Sequence, residues 1–277
     1  MMSSMNTAIT GLTANINQMA IVGDNIANVN TVGYKASEGI FENVISQSTK
    51  AIQGNEIGSG VLLTDIRYNW GQGSIQQTGN QFDISITGNG FFAVYDAVNN
   101  QTYYTRAGQF GFDSNGNLID PNGYQVQGYN IQNNAAAPPA DPAADPIEAI
   151  KIDPTLYSDI SVDANGVYYA VDKATGEKVA LFQIAIHDVI DRSTMAKMSG
   201  NLYKLVQDIN GQFPTPVADV PGANGMGGVN PGSIEASNVD LAKEFVNMIV
   251  AQRAFTANSK VITSSDEILQ ELVNIKR

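Results

Sequence analysis

Apolar residues near the start of the chain return every three or four positions, at Met5, Ile9, Leu12, Ile16, Met19, Val22 and Ile26. That period puts them on one face of a helix of roughly 25 residues. The positions between them hold Asn, Thr, Gln and Gly, which have modest to poor helix propensity, so the helix is marginal alone in water and needs a partner. The far end of the chain offers one. From Leu241 a three-four count runs through Phe245, Met248, Gln252, Phe255, Ser259, Ile262, Asp266, Leu269 and Val273, mostly apolar with polar interruptions. Ser237 and Asp240 read as an S-x-x-D capping box before it. A helix from Leu241 to Asn274 would be about 50 Å long at 1.5 Å per residue. Its charges are confined to Lys243, Glu244, Arg253, Lys260, Asp266, Glu267 and Glu271, and its back carries Ala251, Ala254, Ala257 and Ser264. Small uncharged residues there imply close packing on more than one side.

Between these helices the period changes. Short alternating runs such as FDISITG and GFFAVYD are separated by Gly88-Asn89-Gly90, Asn115-Gly116, Asn122-Gly123 and Asn165-Gly166. Asn-Gly between apolar or aromatic runs marks hairpins, hence an antiparallel β domain over residues 70–205. NNAAAPPADPAADP, residues 133–146, reads as a surface loop, and residues 211–232 read as an irregular connection back to the last helix. The fold class expected is α+β. Terminal helices from residues 1–30 and 238–277 pair as a coiled coil, segments 31–69 and 206–237 connect, and 70–205 form the β-rich outer domain.

Composition narrows the function. The 277 residues, 43% hydrophobic, suffice for a sizeable core. With 27 acidic and 15 basic residues the formal charge is -12, and no basic patch interrupts it, which disfavours nucleic acid and anionic membrane surfaces as partners. The absence of Cys excludes disulfides, thiolate metal sites and a Cys nucleophile. The first basic residue is Lys35 and no unbroken apolar run precedes it, so the N-terminus does not read as a cleaved secretory signal. No stretch is apolar enough to span a bilayer.

Candidate chemistry is sparse. The one histidine, His187, lies in LFQIAIHDV, where strand alternation turns Asp188 to the opposite face, and no G-x-S-x-G elbow accompanies them. Gly88 to Ala93 fits G-x-G-x-x-A, but FFAVYD continues as strand where a dinucleotide site needs a helix, so the stretch reads as a hairpin. Asp113 to Asn117 resembles the start of a calcium loop, yet Leu118 stands where the loop needs Gly, so it reads as a hairpin tip. Asp188 and Asp191 are an unremarkable carboxylate pair among 27 acids. Tyr103, Tyr104, Tyr168 and Tyr169 read as strand packing, because no basic groove accompanies them. No catalytic residue, metal site or cofactor is assigned.

The two ends carry a more specific signal. Ala27-Asn28-Val29-Asn30-Thr31-Val32-Gly33-Tyr34-Lys35 resembles the A-N-x-x-T-x-G-[FY]-K stretch of bacterial flagellar rod and hook proteins. SNVDLAKEFVNMIVAQRAF, which includes Ser237, Asn238, Val239, Asp240, Gln252 and Arg253, resembles the C-terminal motif of the same axial family. FDISITGNGFF and YTRAGQFGFDSNGNLIDPNGYQVQGY resemble its shared β-rich segments. The resemblance implies a non-enzymatic subunit of a hollow helical homopolymer, exported through the flagellar type III apparatus without a cleaved signal and located outside the cytoplasm. Other axial proteins, a cap and the export apparatus are its implied partners. Met5, Ile9, Leu12, Ile16, Met19, Ile26, Leu241, Phe245, Met248, Phe255, Ile262 and Leu269 are then the self-assembly positions. Ala27, Asn28, Thr31, Gly33, Tyr34 and Lys35 begin the junction from inner helix to outer layers. Gly33 supplies the restricted backbone a sharp exit needs, and the Asn side chains satisfy local backbone groups.

Within the family the hook reading is preferred, because SSDEILQELVNIKR and GSIEASNVDLAKE look closest to short hook proteins. The segment after Phe41 also lacks the extended insertion of many distal rods. A distal rod subunit is the alternative. A secreted β-domain hydrolase or a carbohydrate-binding module is the alternative of another class, and neither accounts for two long, weakly charged terminal helices.

Overall fold

The computed structural model describes residues 2–45, 58–132, 140–141 and 145–275. The architecture is α+β, with two compact units. The first is drawn from Met1–Val29, Lys35–Gly71 and Asn238–Arg277, and the second from Asn30–Tyr34 and Gln72–Ser237.

The first unit holds both long helices, α1 (Met2–Ala27) and α2 (Leu241–Ile275). They pack against each other at small residues: a Cβ added to Gly11 would lie 2.6 Å from Asn258 Nδ2. The cap of α2 differs from the sequence expectation. Asp240, not Ser237, receives the first-turn N–H groups, its Oδ1 accepting from Ala242 at 2.9 Å and Lys243 at 3.3 Å. A carboxylate directly before the first helical residue meets both the orphan donors and the positive end of the helix.

Residues 31–69, expected to be a plain connection, instead contain a long antiparallel hairpin, β1 (Ser37–Ile45) and β2 (Gly58–Tyr68). One face lies on α1. Gly39 faces the Ile21 Cδ1 atom, Val61 N–H donates to Thr10 Oγ1 at 3.3 Å, and Asn25 exchanges two hydrogen bonds of 2.8 and 2.9 Å with the Ser37 backbone. Asn25 thus holds the start of β1 as a neighbouring strand would, although it sits in a helix.

In the second unit eight strands form one antiparallel path, in the order Tyr157–Val162, Val167–Asp172, Lys178–Ile184, Gln125–Asn130, Phe91–Asp96, Gln101–Thr105, Leu202–Leu205 and Met195–Lys197. Alternation drives Ile84, Ile86, Phe92, Val94, Val126, Leu181 and Ile184 into a core where each is fully buried. Phe92 meets Phe110 edge to face at 5.1 Å, and Phe112 meets Tyr168 likewise at 6.5 Å. Tyr103 stacks tilted on Tyr124, and Lys178 covers the Tyr169 ring, so these tyrosines do serve packing. The unit runs on through Ser237. The segment expected to be an irregular return carries short strands at Val217–Asp219, Gly228–Pro231 and Ser233–Glu235. Residues 133–146 fall mostly outside the described residues, but Ala140 within them is buried and donates its N–H to Gln183 Oε1.

Asn-Gly marks hairpins here through an aspartate three positions before the glycine. In Asp113-Ser114-Asn115-Gly116, Asp120-Pro121-Asn122-Gly123 and Asp163-Ala164-Asn165-Gly166, Asp Oδ1 accepts the N–H of the second and fourth residues beyond it. The Gly N–H donates to the Asp carbonyl, with the glycine at φ 80°, 87° and 72°. These are three-residue loops closed by a left-handed glycine rather than two-residue turns. The Asp208 to Gly211 turn repeats the pattern. Gly88-Asn89-Gly90 does not follow it. The strands on its two sides, Ile84–Thr87 and Phe91–Asp96, pair with different partners, so the stretch is a crossing and not a hairpin. A Cβ on Gly90 would lie 2.2 Å from Ile186 Cγ2, and close approach is the reason for glycine there.

His187 is buried against Tyr104, its ring centroid 5.8 Å away, while Asp188 points elsewhere and pairs with Arg192 at 3.0 Å. Burial pulls the His187 pKa down to about 4, and a hydrogen bond involving the Ala185 backbone offsets this only in part. The neutral ring is therefore the folded form, and the unfolded chain, with an ordinary His near 6.5, binds more protons between pH 6.5 and 4. Stability contributed by this group is complete above pH 6.5 and is lost as pH falls toward 4, by up to about 3 kcal/mol at 1.36 kcal/mol per pKa unit. Urea unfolding followed by tyrosine near-ultraviolet dichroism is expected to show that decline. His187→Gln is expected to flatten the slope across this window.

Candidate assembly surface and junction anchors

The helices of the first unit are apolar on more sides than one chain covers. On α1, Ala8, Ala14, Ile21, Val22 and Asn25 are buried, whereas Ile9 and Ile16 stand 45% and 51% exposed. Met5, Leu12, Met19 and Ile26 are half-buried at the edge of that exposed stripe. On α2 the face turned inward holds Glu244, Ala251 and Ser265, seven and fourteen residues apart, with Asn258 in the same register. Met248, Phe255 and Ile262 flank it half-buried. Leu241, Phe245 and Leu269 are exposed, as are Val246, Ile249, Val250, Val261 and Ile268. The three-four count thus mixes large side chains that the single chain leaves in water, such as Ile9, Ile16, Phe245 and Leu269, with half-buried ones and the buried Val22, while α2 turns the smaller Ala251 and Ser265 inward. Gln252 and Arg253 are exposed on the same helix.

The N-terminal motif divides between the units. In the first, α1 ends at Ala27, and Asn28 folds back, its Nδ2 donating to the Asp24 carbonyl and Oδ1, each at 2.9 Å. Lys35 is buried with Nζ 2.8 Å from the Gly71 carbonyl. Asn238 ties the C-terminal segment to the same place. Its Oδ1 accepts from Ala36 N–H, and its Nδ2 donates to the Asn69 and Gly71 carbonyls, all at 2.8 Å. Val239 follows it into the Asp240 cap.

In the second unit, Thr31 accepts the Tyr34 N–H, and Asn201 Nδ2 donates to the Val32 carbonyl at 2.6 Å. Gly33 has φ 69° and donates its N–H to the Glu235 carbonyl at 2.7 Å, while a Cβ there would lie 2.5 Å from the Ala107 nitrogen. Left-handed backbone and lack of space both require glycine. Tyr34 is buried under Lys197, whose Nζ is 4.1 Å from the ring centroid. Beneath this turn lies an ion pair that pattern reading missed. Arg106 and Glu235 meet at 3.1 Å with side chains 3% and 0% exposed. Arg106 also donates to the Gly88 carbonyl at 2.7 Å and covers the Phe91 ring, and Glu235 Oε1 accepts the Gly73 N–H at 2.8 Å. Desolvation lowers the Arg106 pKa, opposed by Glu235, and removing either member would leave the other charge buried without compensation. Each charge lies alone among uncharged neighbours in YTRAGQF and GSIEASN, the one available clue.

Three family models match in chain order: a flagella basal body rod protein model at residues 5–35, a flagellar hook protein FlgE/F/G D1 domain at 85–170, and a flagellar basal body rod FlgEFG protein C-terminal model at 230–275. The flagellar basal-body rod protein FlgG of Bacillus subtilis (strain 168) is 36% identical over 287 residues, covering all of both chains. The chain belongs to the flagellar rod and hook protein family. The FlgG protein of Borreliella burgdorferi is 32% identical over the whole of both chains. The flagellar hook protein FlgE of Brucella suis biovar 1 is 29% identical over 399 aligned positions, covering 99% of this chain and 98% of its own. The family is one of flagellar structural proteins, and its first and last matched segments contain the exposed helical faces and the anchors above.

Breaking one half of the buried pair is expected to cost more than removing both. Glu235→Gln should destabilise the second unit by about 3 to 5 kcal/mol, and Arg106→Met with Glu235→Leu by less than the sum of the single changes. Gly33→Ala, forced into left-handed backbone against Ala107, should cost about 1 to 3 kcal/mol. Urea unfolding of these three variants, and of Arg106→Met and Glu235→Leu alone, measures each.

Proposed function

We propose that this chain is a structural subunit of the flagellar rod that polymerises with copies of itself into a hollow axial tube through which later subunits pass. The exposure of large apolar side chains on both helices, Ile9 and Ile16 on α1 and Phe245, Val246, Ile249 and Val250 on α2, is the observation that carries this reading. A monomer in water gains nothing from it, and burial of a Val, Ile or Phe side chain is worth about 1.5 to 3 kcal/mol. In the polymer α1 and α2 form a coiled coil whose outer stripes are covered by neighbouring copies, with the β-rich unit making the outer layer. The terminal segments travel unfolded through the export apparatus, without a cleaved signal, and order on addition at the growing end. Junction residues 27–35 and 237–240 hold the two ends of the chain in register for that step. Other axial proteins and a cap are its further partners, and it carries no catalytic centre.

The rod is preferred to the hook because the FlgG relatives align end to end at nearly this chain's length, whereas the FlgE relative needs 399 positions for 277 residues. The hook reading remains a second one, supported by the absence of a long insertion after Phe41, where β1 and β2 form only a hairpin.

Negative-stain microscopy of the purified full-length chain, seeded with its own fragments, is expected to show tubes, straight for a rod and curved for a hook. Ile16→Asp and Val250→Asp change exposed side chains, so each should leave the β-rich unit's unfolding intact and abolish tubes. Tubes of ordinary number from both variants would remove the proposed assembly face.

A further inference from the structure

The charges of α2 are sorted along the helix as well as by face. Lys243, Val246, Val250, Arg253 and Lys260 recur at spacings of three, four and seven, on the side away from Glu244, Ala251 and Ser265. All five are exposed, and between Leu241 and Ser265 the one acid, Glu244, is buried, while the same rows reach the exposed acids Glu267 and Glu271 only near the C-terminal end. In a chain with 27 acidic and 15 basic residues, the first part of this outward face, Lys243 to Lys260, is locally basic and apolar. The hairpin β1–β2 presents the converse. Gly39 faces α1, so strand alternation turns Glu38 and Glu42 outward. Their side shares Leu62, paired with Glu42 and 60% exposed, and Asp65, paired with Ile40. Glu38, Glu42 and Asp65 are exposed, against the single base Arg67 opposite Glu38. Among the described residues none of Lys243, Arg253, Lys260, Glu38 and Glu42 pairs with another side chain, and Asp65 accepts only its neighbour's backbone N–H. The other exposed stripe, on α1, has one charge, Asp24, in 26 residues and cannot complement three bases.

We infer that the basic outward face of α2 docks on the acidic outer face of β1–β2 in a second copy of this chain. This rests on the reading of the chain as a polymer subunit and names one of its contacts. Val246 and Val250 cover Leu62 and Ile40, while Lys243, Arg253 and Lys260 meet Glu38, Glu42 and Asp65 around the rim, so the contact sets pairing direction as well as strength. Two different faces meet, so each added copy presents a fresh pair of faces and growth continues.

Charge reversal in full-length protein tests this. Lys243→Glu, Arg253→Glu and Lys260→Glu in one chain, and Glu38→Lys, Glu42→Lys and Asp65→Lys in another, are each expected to raise the critical concentration for tube formation at least tenfold. An equimolar mixture is expected to restore tubes, because every contact can then pair opposite charges. Either triple variant assembling at the wild-type concentration overturns the inference while wild-type tubes leave the subunit reading standing. A mixture that stays unassembled from two folded variants, judged by helical dichroism, overturns it too. Arg253→Gln and Glu42→Gln keep side-chain size and are each expected to raise the critical concentration about threefold; an unchanged value for both refutes the contact even where a triple variant fails to fold. Absence of tubes from seeded wild-type protein removes the subunit reading, and this contact with it.

Discussion

The first unit depends on the meeting of two helices from opposite ends of the chain, through faces that are too small to hold them strongly. Gly11 lies against Asn258, and Ala251 and Ser265 supply the buried register of α2. Burying an Ala or a Ser removes little apolar area, so this contact selects closeness over strength. Close approach has its own consequence. With the small residues turned inward, Ile9, Ile16, Phe245 and Val250 must lie elsewhere on the same two helices, in water. The hairpin on α1 adds support through hydrogen bonds at Asn25 and Thr10 and through Ile21 against Gly39. A unit built this way is held by its two helices meeting and leaves large apolar side chains of both exposed.

The second unit solves its stability internally. Its core residues are buried, its Asp-x-Asn-Gly turns close their own backbone groups, and the buried ion pair Arg106–Glu235 is braced on both sides by backbone partners, with Arg106 Nε left without one among the described residues. The turn at Gly33 rests on that pair through the Glu235 carbonyl, so a short N-terminal piece is anchored to a strand more than two hundred residues later. Ordering of the N-terminal motif is in this way conditional on the C-terminal one.

Much of this was legible in the pattern. Both helices and the antiparallel domain follow from period and turn residues, and the two terminal motifs carried the family. What stayed hidden has physical reasons. The three-four count weights large apolar side chains, so it drew exposed, half-buried and buried positions of α1 and α2 into one stripe; the small residues of α2, Ala251 among them, pointed to close packing, but Gly11 and Asn258 stayed unmarked where packing distance, not hydrophobicity, decides. The hairpin β1–β2 was obscured by its glycines Gly39, Gly58 and Gly60, of which Gly39 and Gly60 sit where the strand passes close to α1. Asn-Gly marked hairpins, but their three-residue loops were not legible in it, because the aspartate that organises each lies one residue outside the dipeptide's own neighbours. A crossing such as Gly88-Asn89-Gly90 has the same letters as a hairpin, and only the pairing of the flanking strands separates the two.

In the contact we infer, the sorting of charge also bears on why a closed dimer would not be the end point. A two-fold dimer brings identical patches together, so a basic face would meet a basic face and an acidic face an acidic one, each pairing opposed by like-charge repulsion. The chain's net charge of -12 adds a general repulsion between copies, screened beyond about 8 Å at physiological salt. Against that background the three bases on α2 are the local exception that lets two copies approach in one direction. Apolar side chains between them then provide the attraction, which is not directional. Direction comes from the charges and adhesion from the valines, and a head-to-tail contact assembled from both has no symmetry at which to stop.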